Sequence, residues 1–127
     1  MFADVHRDIH FKMIELQQID FPTDCIVIHH EFYTYDPVNC YTESDNLDYL
    51  FEDLLQCKFE EDNMIIDLGW YGNIADNDGG FKIQMIKDQN WEIPFNVIHS
   101  KSVVEVKDIL IKILNYYTSE NIENEEE

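Results

Sequence analysis

The chain has 127 residues, of which 45% are hydrophobic and 13% aromatic, so it is expected to fold around a core rather than stay disordered. Its 27 acidic residues face eight lysine and arginine residues, which gives a formal net charge of -19. A charge of this sign repels nucleic acid and anionic membranes, and it speeds encounter with a basic partner. The same charge would also serve solubility alone, so composition leaves both interpretations open.

The cysteine count and the apolar runs bear on the cellular compartment. Three cysteines, Cys25, Cys40 and Cys57, exclude a fully paired disulfide framework, and no C-x-x-C spacing indicates a zinc knuckle. Charged residues throughout the first twenty positions exclude a signal-peptide core. No apolar run approaches the roughly 18 residues of a membrane span. We therefore expect a reduced, cytoplasmic protein that does not bind membranes.

The first third of the chain predicts a helix followed by a strand. Apolar side chains in residues 1–18 recur at helical spacing, which predicts a first helix, although Phe11–Ile14 also suits a strand. Pro22 disfavours helical backbone in the preceding residue, so the helix should end before it. Cys25–Tyr35 is rich in β-branched and aromatic residues, which predicts a strand.

A second helix is predicted from an N-cap at Ser44 or Asp45 to about Cys57. Leucines and one phenylalanine make its apolar stripe, and acidic residues lie on or near the opposite face. Such a face is usually only solvated, but in so acidic a chain it is also a candidate docking surface. The acidic residues proposed for contact with a partner are Asp45, Asp48, Glu52 and Asp53.

A β-meander is predicted next, with strands at Met64–Tyr71, Phe81–Lys87 and Trp91–Ile98. The first two runs flank a polar loop in which Asp78-Gly79 is a typical hairpin turn signal. The strands are expected to be scaffold, with Trp91 in the core. The loop offers a second candidate binding surface, and the sequence does not rank it against the acidic helix. Its residues are Trp70, Tyr71, Asp76 and Asp78.

The C-terminal part predicts one helix and a tail. Ser102 and Glu105 have the spacing of a capping box, which opens a helix that runs to about Tyr117. Residues 119–127 are acidic and nearly without apolar side chains, so we expect a disordered tail. The predicted fold is therefore a single α+β domain over residues 1–118, with an antiparallel sheet of about four strands packed with two or three helices.

No motif for catalysis, metal binding or a cofactor is present. His6 and His10 share helical spacing, but Arg7 stands where a zinc-binding helix of the H-E-x-x-H type has glutamate. His29 and His30 would point to opposite faces of their strand, so they cannot hold one metal together. The loop fails the calcium-binding pattern because Ile74 would occupy the first ligand position. We expect no catalytic residues, no metal and no cofactor.

The meander also resembles a known group of proteins. The resemblance lies in the strand Ile66–Tyr71 with its G-W-Y ending, the start Gly80-Phe81, and the W-x-x-P step in Asn90–Pro94. A small α+β domain with these features resembles the immunity proteins of bacterial polymorphic toxin systems, contact-dependent growth inhibition above all, over roughly Met64–Tyr117. The resemblance implies a cytoplasmic, non-catalytic protein that binds and blocks a toxin domain, often a nuclease. It implies no site residues, because interface positions differ between cognate pairs.

Charge and resemblance together favour an immunity protein that neutralises a basic toxin domain without binding nucleic acid itself. The alternative is an acidic DNA-mimic regulator or anti-restriction protein, which would displace many DNA-binding proteins from DNA. A small enzyme with scattered catalytic residues is a third possibility, although no local sequence pattern indicates one.

Overall fold

β-Branched and aromatic runs form a five-stranded antiparallel sheet, and the apolar stripe of the C-terminal segment forms a helix that packs on it. The computed structural model describes residues 14–38, 45, 48–72 and 79–117. The predicted α+β class is confirmed. Neighbouring strands follow chain order, so the sheet is a meander. Its strands are β1 (Cys25–His30), β2 (Leu55–Phe59), β3 (Met64–Tyr71), β4 (Gly80–Lys87) and β5 (Asn96–Ser100), and the helix is α1 (Val103–Tyr116).

The central hairpin agrees with its prediction. β3 has the predicted bounds, and β4 begins one residue earlier than predicted, at Gly80. The two strands pair over their full length, from Met64 opposite Lys87 to Tyr71 opposite Gly80. This ladder is the centre of the sheet on which the remaining elements are placed.

One face of the sheet and helix α1 enclose the main core. The helix packs its apolar stripe on β4 and β5. Alternate residues of β3 and β4 belong to the same core because side chains alternate along a strand. Cys25 and Cys57 are also buried on this side, and both are free thiols. The residues that the helix buries are Val103, Val106, Leu110 and Leu114.

The capping box at the start of α1 is formed in part. The Ser102 hydroxyl accepts from the Glu105 amide at 3.1 Å, as predicted. The Glu105 carboxylate, however, accepts from the hydroxyl of Ser100 rather than from the Ser102 amide. The Ser102 amide donates to that same Ser100 hydroxyl at 3.1 Å. The last residue of β5 therefore joins the cap and links the strand to the helix.

The predicted second helix is wrong over its C-terminal part. Among the residues described there, Asp45, Asp48 and Tyr49 are helical, but β2 has already begun at Leu55. The Leu54 amide donates to Leu68 and its carbonyl accepts from Glu31, so this segment is bonded on both sides. These bonds satisfy the backbone N–H and C=O groups of Leu54, and the side chains of Leu54 and Leu55 are completely buried. Pairing and burial together outweigh the helical spacing of the sequence.

The predicted first helix is also wrong where the structure describes it. Residues 14–18 are not helical, and Leu16 forms an antiparallel bridge with Tyr33. The Gln17 amide donates to Phe32 at 2.8 Å, so the segment gains its hydrogen bonds from the chain after β1. Residues 1–13 and the predicted tail 119–127 lie outside the described residues. Because β2 takes the place of the end of the predicted second helix, the sheet has five strands where about four were predicted. The described residues contain one long helix.

Two strands, β1 and β5, have bounds that differ from the predicted ones. β1 ends at His30 rather than Tyr35, after a register shift between Val27 and His29. β5 begins only at Asn96, because Asp88 and Gln89 take positive φ values of 53° and 60° and turn the chain away from the β4 ladder. Trp91 lies in this connection and is 46% exposed, so the prediction that it belongs to the core is wrong.

Candidate functional site

The face of the sheet that points away from helix α1, called the second face below, carries a polar row. In each strand pairing the residues of this row stand opposite one another, so the row crosses all five strands. Asp67 on the central strand is its midpoint. The polar residues of the row are His29, Gln56, Asp67 and Gln84, and the apolar Val97 ends it on β5.

Asp67 is a buried carboxylate in the wall of a cleft. Its side chain is 6% exposed, and its Oδ1 accepts a hydrogen bond from Nε2 of Gln56 at 3.2 Å. The cleft encloses about 310 Å³ and is also lined by His29, Asp53 and Leu55. Burial raises the pKa of Asp67 most, while the Gln56 hydrogen bond opposes that rise. The carboxyl group is therefore held where its charged form is poorly solvated.

Glu52 and Asp53 form an acidic bulge beside this cleft. The Phe51 carbonyl accepts from Trp70, and the Leu54 amide donates to Leu68, so the two residues between them protrude from the ladder with β3. Both side chains are exposed. The bulge thus presents two adjacent carboxylates from a backbone that is fixed at both ends.

Three further contacts hold the acidic bulge in place. Gly69 packs so closely that a Cβ there would lie 2.1 Å from the Glu52 carbonyl oxygen, so only glycine fits. The Tyr71 hydroxyl donates to that same carbonyl at 3.4 Å. His29 Nε2 donates to the Asp53 carbonyl at 2.9 Å. Because these contacts use backbone oxygens, the two side-chain carboxylates are left to face solvent.

The Tyr71 hydroxyl interacts electrostatically with carboxylates of both the acidic bulge and the cleft. Burial raises the pKa of its hydroxyl first, and the nearby carboxylates of Asp67, Glu52 and Asp53 raise it further. The Nζ of Lys82 lies 3.9 Å from the centre of the Tyr71 ring, a cation–π contact. Residues from the acidic segment and from the end of β3, which the sequence assigned to two competing surfaces, are therefore neighbours on one surface.

The remaining predicted contact residues are placed differently. Asp48 is exposed and Asp45 is half-buried, and both precede the bulge in the chain. Trp70 is 5% exposed, and its ring packs edge-on against Phe81 at 4.9 Å, so it belongs to the core and is not part of the candidate surface. Asp76 and Asp78 lie outside the described residues.

The sequence did not indicate Gln56 or Asp67 as candidate site residues, and it excluded His29 only from sharing a metal with His30. Asp67 stands between Ile66 and Leu68 in a run whose residues are buried on both faces of the sheet. A lone carboxylate in such a run is a signal for a special role, since acidic residues are rarely buried without a partner. Which residues meet it depends on strand register, which the sequence did not give.

A second hollow lies at the other end of the second face. It encloses about 420 Å³ and is lined by Tyr71, Lys82, His99 and Lys101 together with three glycines and Ser100. This hollow therefore has two lysines in its wall, whereas the cleft has the carboxylates of Asp53 and Asp67.

Among the described residues, no group of three or more His, Cys, Asp or Glu side chains is placed to hold a metal ion. No helix in the described part of the chain has the length and hydropathy needed to cross a membrane. Comparisons with protein-family models, curated proteins and solved structures gave no match for this chain.

Proposed function

We propose that this chain is an immunity protein that binds and neutralises a basic toxin domain, a nuclease, through the second face of its sheet. The observation that carries the proposal is the acidic bulge of Glu52 and Asp53, fixed beside Tyr71 and the buried Asp67 in a chain of net charge -19. A surface of this kind attracts a basic protein and offers it both ion pairs and aromatic contact.

Rigid presentation of the carboxylates supports this function. The carbonyls of Glu52 and Asp53 are held by Tyr71 and His29, and Gly69 packs beneath the bulge. A surface ordered before binding loses less conformational entropy when the partner arrives, which favours high affinity. Neutralising a toxin at low concentration requires such affinity.

Exposed apolar side chains near the rim also suit a protein interface. Ile26 on the outer strand β1 is 47% exposed, and Val97 on the opposite edge strand β5 is 38% exposed. Register places Ile26 beside Lys58 and Val97 beside Gln84, both on the second face. Exposed apolar groups rimmed by polar residues are typical of protein-binding surfaces.

Inhibition would follow from binding alone, without catalysis by this chain. The carboxylates would cover the substrate cleft of the toxin in place of phosphate groups, or the protein would bind beside that cleft and block access. Both modes act in the cytoplasm, where a nuclease toxin would meet its substrate. Neither mode requires a cofactor or a metal.

The test is co-purification with the toxin domain encoded beside this gene, followed by an activity assay of that domain with and without this protein. A stoichiometric complex in which toxin activity is lost supports the proposal. Absence of a basic toxin domain in the neighbouring genes, or full toxin activity within the complex, contradicts it. Displacement of many unrelated DNA-binding proteins from DNA would instead favour a DNA mimic.

A further inference from the structure

Gln56 and Asp67 form a hydrogen-bonded pair in the wall of the cleft on the second face. Gln56 uses its Nε2 to donate to Oδ1 of Asp67, and this bond does not use Oδ2 of Asp67 or Oε1 of Gln56. The Asp67 side chain is more than nine-tenths buried and lines the cleft. A carboxylate at this depth is poorly hydrated, so a hydrogen-bond donor that enters the cleft would stabilise its charged form.

The charges around the cleft are mainly negative. Asp53 lines it from the acidic bulge, and the Glu31 carboxylate lies 3.7 Å from Nε2 of His29, which also lines the cleft. Lys82 is the cation that acts on Asp67 from β4, but its Nζ is placed over the Tyr71 ring. The cleft therefore favours a cation that brings its own hydrogen-bond donors.

We propose that this cleft is a socket for one arginine side chain of the bound partner, an inference that rests on the proposed function. The guanidinium group is planar and carries five N–H donors in a fork. Two of its donors would bond to Oδ2 of Asp67 and Oε1 of Gln56, and a further donor would reach the Asp53 carboxylate. The volume of about 310 Å³ accommodates one side chain and is small for a cofactor.

Arginine fits the socket better than lysine does. An ammonium group is a strongly hydrated point charge and cannot satisfy two acceptors in one plane, whereas a guanidinium is weakly hydrated and binds such acceptors in a bidentate manner. A charge transferred into a desolvated site stabilises a complex only if its hydrogen bonds are complete. The socket thus selects a partner with an arginine at the centre of its contact surface.

The inference can be tested without the toxin, by titrating the full-length ¹⁵N-labelled protein with ethylguanidinium chloride and, separately, with ethylammonium chloride at equal ionic strength. The side-chain amide of Gln56 and the backbone amide of Asp67 are the reporters. We expect a saturable shift with ethylguanidinium and an affinity for ethylammonium that is lower by about tenfold or more. Asp67→Asn should abolish the saturable shift.

Asp108→Asn is the matched control because Asp108 lies on α1, where it pairs with Lys112 on the exposed surface. It removes the same charge from the chain and should leave the titration unchanged. Gln56→Leu is a second variant that keeps the Asp67 carboxylate, and it should weaken ethylguanidinium binding even if Asp67→Asn perturbs the fold.

Equal shifts with the two cations, or a saturable shift that persists in both cleft variants, would overturn the socket. Its failure is separable from failure of the proposed function, since the titration contains no toxin and the co-purification contains no small cation. A protein that neutralises its toxin but gives no ethylguanidinium shift would retain the function and lose the socket.

Discussion

Oδ1 of Asp67 accepts a 3.2 Å hydrogen bond from Nε2 of Gln56, across the pairing of β3 with β2. Asp67 is the one buried acidic side chain among the described residues. The bond fixes the carboxylate but satisfies only one of its oxygens. A sheet built for stability alone would place an apolar residue here, and this buried pair supports the binding surface that we propose on the second face.

Asp67→Asn should change the dependence of stability on pH. Burial raises the pKa of Asp67 above its unfolded value of about 3.9, so as pH rises the unfolded chain ionises first. The native protein therefore loses stability as pH rises from about 3.9 through the folded pKa, and the loss persists at neutral pH. Asparagine cannot ionise and should avoid this loss while still accepting from Gln56.

Urea unfolding of Asp67→Asn and the unaltered protein at pH near 3 and near 7 measures this effect, because contributions from all other groups cancel in the difference. We expect the free energy of unfolding of the variant, relative to the unaltered protein, to increase between the two pH values. A difference that is the same at both would show that Asp67 is not destabilised by burial.

Gly69→Ala should destabilise the protein and displace the acidic bulge. The new Cβ would lie 2.1 Å from the backbone oxygen of Glu52, which cannot move without breaking the contacts of Tyr71. We expect a loss of about 1–3 kcal/mol or more in the free energy of unfolding.

Gly80→Ala is the matched control, since its nearest neighbour would be the Ser100 oxygen at 3.6 Å, an ordinary contact. Its stability should stay within about 0.5 kcal/mol of the unaltered protein. Equal effects at the two glycines in chemical denaturation would contradict the close packing beneath the bulge.

The central hairpin was predictable because its signal is local. β3 is a continuous apolar run bounded by turn residues, and its bounds follow from the residues themselves. β2 was missed although Leu55, Cys57 and Phe59 alternate with polar residues, because the leucines before it also fit a helix. Pairing with strands on both sides decides that ambiguity, and such pairing is a property of the whole fold.

The same distinction between local signals and whole-fold contacts applies to the candidate site. Glu52, Asp53 and Tyr71 were predicted as contact residues because exposed acids and a tyrosine stand out in the sequence, and the structure places them next to one another. The cleft was not found, since His29 meets Asp53 across 24 residues of chain and Gln56 meets Asp67 only through register. Trp70 was predicted to contact the partner together with its neighbour Tyr71. Adjacent residues of a strand face opposite sides of the sheet, so Trp70 lies in the core while Tyr71 lies on the second face.

The two tryptophans should respond oppositely to replacement. Trp70 is buried against Phe81, and Trp91 is exposed in the connection before β5. Trp91→Phe should leave blue-shifted fluorescence that acrylamide quenches poorly, and Trp70→Phe should leave red-shifted fluorescence that it quenches readily. Steady-state emission and quenching measure both, and similar quenching of the two variants would show that the connection folds onto the core.

Ser102→Ala should lower the free energy of unfolding by about 1 kcal/mol, because the Glu105 amide loses its acceptor at the start of α1. Ser102→Asp is the control, since aspartate is an equally good N-cap and adds a charge that favours the helix N-terminus. Thermal unfolding of the two variants checks the prediction. A helix cap that contributes nothing would leave the alanine and aspartate variants equally stable.

The most direct measurement of the proposed function is calorimetric titration of this protein into a basic toxin domain from a neighbouring gene, which that function predicts, at about 50 mM and about 500 mM salt. We expect tight binding at low salt that weakens at high salt, because charge steers the association. The double substitution Glu52→Gln with Asp53→Asn should weaken binding by about tenfold or more, while Asp108→Asn should not. Undetectable binding by the unaltered protein, or equal binding by all three proteins at both salt concentrations, would contradict a function carried by the acidic bulge.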